Sequence, residues 1–179
     1  MFLDYIHEYF KFMTNIDKPS LLTKIYGIYE VQIEKNSPVC LVAMENLFFG
    51  MGSNLKVYDL KGSVSSRYVS KGKFDGSKTL LDTDYKLDRN GEPLPIKSTH
   101  MEYIEKAIKT DTQLLASVKV IDYSMLVIID EDNFLTRMGI IDYLRIFDFG
   151  KQFESLGKKI LKGTTPTVTE PEDYKERFQ

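Results

Sequence analysis

The sequence predicts an α+β fold in which helices flank a central antiparallel sheet. Two segments, 2–13 and Ser98–Ser117, repeat apolar residues at helical spacing. Five short β-type runs, at 25–33, 39–44, 55–60, 123–129 and 136–141, are separated by turn-rich stretches. Helices and strand runs follow one another in mixed order, which favours α+β over a regular strand–helix alternation.

The elements can be justified in turn. Phe2, Ile6, Tyr9 and Met13 form one helical stripe that Asp17-Lys18-Pro19 ends. Runs 25–33 and 39–44 are joined by Lys35-Asn36-Ser37-Pro38, and Gly50 and Gly52 interrupt the chain before run 55–60. Residues 70–95, rich in Gly, Lys and Asp with the turn signal Asn90-Gly91, read as a surface excursion interrupted by Leu80-Leu81. In the second helix Met101, Ile104, Ile108 and Leu115 share a stripe, with Ser98 or Thr99 as cap. Runs 123–129 and 136–141 flank Asp130-Glu131-Asp132-Asn133, and after Thr164–Pro171 a further helix starts.

Composition narrows the function classes. The 179 residues are 42% hydrophobic, enough for one substantial core. A formal net charge of -2 gives no global attraction to nucleic acid, so none is expected as a partner. The single cysteine, Cys40, lies in the apolar run Val39–Ala43 and reads as a buried thiol in a reducing, cytoplasmic setting. No apolar run reaches the ~20 residues of a membrane span. His7 and His100 have no second histidine or cysteine at ligand spacing, so a zinc site is not expected.

Two aspartates carry the chemistry. If the last two runs pair as a hairpin centred near Asp132, Asp122 and Asp142 face one another at its open end. Two carboxylates there repel unless a cation or proton lies between them. Such a pair can hold Mg²⁺ together with nucleotide phosphates, or accept a proton from an attacking hydroxyl. It can equally be two strand-end residues that cap loops.

The motifs resemble those of the phosphatidylinositol-phosphate kinases. Val120–Val127 (VIDYSMLV) resembles the family's IDYSLLV stretch, and Gly139–Arg145 (GIIDYLR) its GIIDYIR. Tyr58–Ser63 with Arg67 is similar to the DLKGS-x-x-x-R element, and Ser20–Tyr29 to the LLPKILGVY start of the central sheet. Met44–Phe48 is similar to the hinge, and 166–178 to the final loop and helix. Met125 and Ile128 stand where the family usually has Leu and Gly. ENLFFG with IIDYLR is most similar to the PIKfyve-type (type III) branch, which phosphorylates phosphatidylinositol 3-phosphate on the 5-hydroxyl.

The resemblance implies an ATP- and Mg²⁺-dependent lipid kinase with a protein-kinase-like fold, peripheral on endosomal or other internal membranes. Asp122 then matches the catalytic aspartate, Asp142 the metal-binding aspartate, and Lys61 a catalytic, phosphate-neutralising lysine with Asp59 and Arg67 beside it, Arg67 being expected to meet the lipid substrate. Met44, Glu45, Asn46 and Leu47 would offer backbone groups to adenine. Residues 2–47 would be the remainder of the nucleotide lobe and hinge, and 48–179 the C-terminal lobe. The family's Gly-rich loop and strand lysine would lie before Phe2, so the chain is expected to be part of a larger kinase and incomplete for activity by itself. Accessory subunits are a further expectation.

Residues 150–165 correspond to the family's activation or specificity loop. Lys158, Lys159 and Lys162 surround Ile160-Leu161, a make-up that can set apolar side chains into an anionic membrane while lysines meet phosphoinositide headgroups. The literal Asp148-Phe149-Gly150 reads as coincidence, since no strand ends at it. Two other readings remain. One is a catalytically inactive phosphoinositide-binding scaffold, and the other an inositol polyphosphate kinase, which would not need the apolar pair.

Overall fold

The predicted hairpin is the centre of the molecule. In the computed structural model, which describes residues 2–15, 17–34, 36–63, 67, 69, 79–94, 96–144 and 170–179, the strands form two sheets. β1 (Ile25–Val31) and β2 (Val39–Met44) pair antiparallel. β3 (Leu55–Leu60), β4 (Leu80–Leu81), β5 (Ser124–Asp130) and β6 (Leu135–Ile141) form a four-stranded sheet in the order β4-β3-β5-β6. The helices are α1 (Ile6–Met13), after a 3-10 turn at Phe2–Asp4, α2 (Asp82–Asp88), α3 (Ser98–Ser117) and α4 (Pro171–Phe178).

The mixed α+β architecture agrees with the sequence reading, and three details correct it. Residues 70–95 are more than a surface excursion, because β4 pairs parallel with β3 through Tyr58↔Leu80 and Asp59↔Leu81. Leu80, Asp82 and Asp84 are buried there. The aspartates tolerate burial because backbone amides satisfy them: Asp84 Oδ2 accepts from Leu81 and Val69 N–H, each at 3.0 Å. Secondly, α3 is preceded by Lys97, and neither Ser98 nor Thr99 caps it. Its buried stripe runs through Ala107, Asp111 and Leu115, whereas Met101 is exposed. Thirdly, Cys40 is exposed, because β1 and β2 bury only their Ile25–Met44 end in the core.

Tyrosines dominate that core. Tyr9, Tyr58, Tyr123 and Tyr143 are buried together with Leu115, Val120 and Ile140. The two sheets meet where the strap 19–23 lies along β6. Leu22 bridges Ile140 in parallel, Ile140 N–H donates to Leu21 O at 2.7 Å, and Thr23 N–H to Ile140 O at 3.0 Å. Gly139 permits this approach, since a Cβ there would lie 2.9 Å from Leu47 Cδ1 and 3.1 Å from Thr23 Cγ2.

On the other side α4 docks against α3 and the end of β5. Tyr174 Oη donates to Tyr123 O at 2.5 Å, and Gln179 Nε2 to Thr112 Oγ1 at 2.7 Å. Gly62 has φ +66°, and a Cβ there would run into the Arg177 carbonyl. A left-handed non-glycine residue costs roughly 1–2 kcal/mol before any collision is counted. Gly62→Ala is therefore expected to lower the thermal midpoint and to speed amide exchange in α4 more than in α3. Equal exchange in the two helices would show that the Arg177 backbone moves aside freely.

Candidate functional site

β5 and β6 pair from Ser124↔Ile141 to Asp130↔Leu135. The hairpin centre therefore falls between Asp132 and Asn133, next to the expected position. Asp122 lies two residues before the first paired residue and Asp142 one residue after the last, so both sit at the open end. Each occupies the left-handed region, with φ 69° and 62°. Asp tolerates that region better than most residues, yet it is an uncommon state, and the two instances flank one strand pair.

Each aspartate is followed by a fully buried tyrosine. Tyr143 lies under α1, stacked on Tyr9 with ring centres 5.9 Å apart. Its hydroxyl donates to Thr23 O, and its carbonyl accepts from Tyr5 Oη. Burial, with Tyr9 beside it, pushes the Tyr143 phenol far above the usual tyrosine range, so it remains a donor. Tyr123 meets Tyr174 and Phe178 of α4 edge-on, each at 4.7 Å between centres. Asp122 and Asp142 themselves are exposed. The chain thus anchors a ring and turns the preceding carboxylate out into solvent.

The end of β3 supplies the countercharge. Lys61 Nζ lies 2.7 Å from Asp122 Oδ1 and donates to Asp122 O at 2.6 Å. Lys61 is held by a brace beneath it. Asp82 Oδ1 accepts the Lys61 and Ser63 amides at 3.0 and 3.1 Å, while its Oδ2 receives Arg67 Nε at 2.5 Å. Arg67 Nη2 donates to Asp59 Oδ1 at 2.6 Å and Asp59 O at 2.8 Å. Arg67 and Asp59, expected as neighbours of Lys61 with Arg67 facing substrate, are joined to one another here, with Asp82 as a third member that the motif did not contain. Its only signal in the sequence was Leu80-Leu81-Asp82, an apolar pair running into an acid.

Of the four residues expected to form a hinge, Met44 ends β2 opposite Ile25 and Leu47 is buried against Gly139. Three main-chain groups of this segment are already engaged outside the β1–β2 ladder: Glu45 N–H donates to Lys24 O at 2.8 Å, Asn46 O accepts from Phe49 N–H at 3.2 Å, and Leu47 O accepts from Arg137 Nη1 at 3.1 Å. Arg137, which nothing in the motifs marked, thus holds residues 47–49 to β6. Lys158, Lys159, Ile160, Leu161 and Lys162, like Asp148-Phe149-Gly150, lie outside the described residues. Among the described residues no three His, Cys, Asp or Glu side chains cluster as a metal cage. An ion of the Mg²⁺ type takes one or two carboxylates and completes its shell with phosphates and water. Asp142, exposed and oxygen-donating, fits that role.

Comparison with known proteins agrees with the motifs. The family described as Phosphatidylinositol-4-phosphate 5-Kinase matches residues 1–137. A putative 1-phosphatidylinositol-3-phosphate 5-kinase of Arabidopsis thaliana is 38% identical over 99% of this chain and 12% of its own length. The 1-phosphatidylinositol 3-phosphate 5-kinase of Homo sapiens is 37% identical over 99% of this chain and 9% of its own length. That of Saccharomyces cerevisiae is 30% identical over 99% and 8%. The chain spans about a tenth of the length of the curated relatives it matches.

The two ion pairs should differ in what they do for stability. Asp82→Ala leaves Arg67 Nε and two amides without their acceptor, although Arg67 Nη2 keeps Asp59, a loss of about 3 kcal/mol or roughly 6–12 °C in thermal midpoint for a chain of this size. Lys61→Ala leaves Asp122, whose side chain is 57% exposed, free to hydrate. It should move the midpoint by no more than about 2 °C. A Lys61 variant as unstable as the Asp82 variant would make the Lys61–Asp122 contact structural.

Proposed function

The chain belongs to the phosphatidylinositol-4-phosphate 5-kinase family, and on that premise we propose that it forms part of the catalytic core of an ATP-dependent kinase acting on phosphatidylinositol 3-phosphate to give the 3,5-bisphosphate. The observation that carries the reading is Lys61 at 2.7 Å from Asp122 at the hairpin end that also presents Asp142. The names of the relatives support the choice of lipid and hydroxyl.

In this reading Asp122 orients the inositol hydroxyl and takes its proton, with its carboxylate held in place by Lys61. Lys61 also faces the phosphate charge, a positioning role that suits phosphoryl transfer, where little covalent work is asked of the protein. Arg67 acts from below, by fixing Lys61 through Asp82. Met44–Leu47 border the adenine, with Glu45 N–H and Leu47 O already used inside the protein. Asp142 would hold Mg²⁺, which when bound neutralises charge on the transferring phosphoryl group. Residues 2–47 are read as nucleotide-lobe remainder and hinge, and 48–179 as the C-terminal lobe.

Tyr26, Tyr29, Val39 and Leu41 expose apolar surface on β1 and β2, which supports the expectation of more polypeptide or an accessory subunit over this sheet. No helix among the described residues is long and apolar enough to cross a membrane. Access to lipid is assigned to residues 150–165, peripheral on an endosomal or other internal membrane.

Two measurements test the proposal. In the longest natural polypeptide that contains this chain, Asp122→Asn and Asp142→Asn should each lower turnover of phosphatidylinositol 3-phosphate by roughly 10²-fold or more while the protein stays folded. A folded variant that retains turnover would remove that aspartate from the reaction. For the lipid contact, neutralising Lys158, Lys159 and Lys162 should weaken co-sedimentation with vesicles carrying phosphatidylinositol 3-phosphate and flatten its salt dependence. Ile160→Ser with Leu161→Ser should weaken binding and leave the salt dependence intact. Unchanged binding by all folded variants would make residues 150–165 an ordinary solvated segment.

A further inference from the structure

Asp111 is a carboxylate in the wrong place for a helix surface. It lies in the middle of α3 with no solvent exposure, and nothing in the family motifs marks it. Its Oδ2 accepts the Leu21 N–H at 2.6 Å, while Oδ1 is buried without a partner. The Ser20 hydroxyl and the Leu22 amide lie beside the carboxyl and favour its charged form. Among the described residues no charged side chain is seen to oppose it from the strap, α3 or α4, and the neighbouring contacts are neutral: Thr110 Oγ1 to Pro19 O, and Gln179 Nε2 to Thr112 Oγ1.

The strap that Asp111 grips is the one that lines β6. Leu21 gives its N–H to Asp111 and its carbonyl to Ile140 N–H. Thr23 gives N–H and hydroxyl to Ile140 O, and its own carbonyl to Tyr143 Oη. Asp142 is the residue between Ile140-Ile141 and Tyr143. A continuous set of hydrogen bonds therefore runs from one buried carboxyl through Leu21, Ile140 and Thr23 to Tyr143, with the proposed metal ligand lying in sequence between its last two β6-side members.

We propose that Asp111 is a positioning residue for Asp142, holding the 20–23 strap against β6, and that the proton it carries or releases tunes how firmly the strap is held. The coupling of Asp111 to β6 stands on the bonds above. Only its bearing on catalysis rests on reading Asp142 as the metal ligand.

Burial pushes the Asp111 carboxyl up to about 7, with the Leu21 amide opposing the rise. The sign follows from linkage. Between an ordinary unfolded value near 4 and the folded value near 7 the native state binds the extra proton, so stability from this group falls as pH rises through that window. Above it the folded chain holds a buried carboxylate that hydration would relieve, and opening of the strap is the local way to hydrate it.

The test uses the 179-residue chain and reads backbone amides by ¹H–¹⁵N NMR from pH 5 to 8.5, beside Asp111→Asn, which keeps the volume and cannot ionise. In the parent, the amides of Leu21, Thr23, Ile140 and Asp142 should titrate with one common midpoint near 7. Their hydrogen exchange, corrected for intrinsic base catalysis, should lose protection above that midpoint relative to Val127 in mid-β5. Asp111→Asn should abolish the common titration and make strap protection independent of pH. Asp111→Ala, without an acceptor for Leu21, should open the strap at every pH. A purely packing role would shift all protected amides together and would not separate the strap from Val127. The proposal is overturned if Leu21 titrates and Ile140–Asp142 do not, or if none titrates in the window. The parent experiment alone decides this should a variant fail to fold. If the amides behave as expected while Asp142→Asn leaves turnover intact, the coupling stands and the metal reading fails.

Discussion

Two buried phenols hold the site in place. Tyr123 and Tyr143 each follow an aspartate, and each ring is enclosed by an element distant in sequence: Tyr123 by α4, Tyr143 by α1 and the strap. With both rings fixed, the backbone has little choice about where the preceding residues point. Asp122 and Asp142 emerge with positive φ at one end of one hairpin. The position of α1 over Tyr143, the docking of α4 and the strap along β6 all serve these two anchors.

Acidic residues divide sharply by surroundings. Asp82, Asp84, Asp111 and Asp130 are buried, and each accepts at least one backbone amide. Asp130 shows the pattern at the far end of the hairpin. Asn133 and the Gly52 amide hold its carboxyl below the usual range, and they fasten the β5–β6 turn to the chain before β3. Among the described residues Asp122 meets the Lys61 ammonium rather than a backbone amide, and Asp142 is exposed. A count of 26 acidic residues could not separate these groups, because the difference lies in which backbone donors the fold brings near.

The hairpin, its two aspartates and the strand bounds of β2 and β3 were legible because they rest on local patterns: apolar runs, turn residues and fixed spacing across a hairpin. The α3 stripe was misplaced only at its start: Leu115 is buried and Ile108 packs on the core, but Met101 and Ala107 cannot be ranked without knowing what lies opposite. The burial of Cys40 was misjudged for a related reason. An apolar run says that a strand could be covered, not that it is. Asp82 and Arg137 escaped notice because their partners, Lys61, Ser63, Arg67 and Leu47, come from other parts of the chain. Asp111 escaped for the opposite reason: in a helix an acid is ordinarily a surface residue, and only the strap crossing α3 makes it otherwise.

The strain at the two aspartates has to be outweighed locally. A non-glycine residue in the left-handed region costs roughly 1–2 kcal/mol, so two of them weigh against a folded state worth only ~5–15 kcal/mol in all. Burying one large aromatic side chain returns about 1.5–3 kcal/mol, and a buried hydrogen bond adds about 1 kcal/mol more. Tyr143 gains both terms through its own hydroxyl. Tyr123 gains the first by ring burial, and its carbonyl receives the bond from Tyr174 instead. The Tyr123 hydroxyl is buried without a partner among the described residues, so less is returned there than at Tyr143, and at each aspartate the balance depends on the tyrosine being enclosed. Loss of α4 or of the strap would therefore do more than expose a ring. It would remove what keeps the adjacent carboxylate turned outward, and the site would relax before the sheet beneath it came apart.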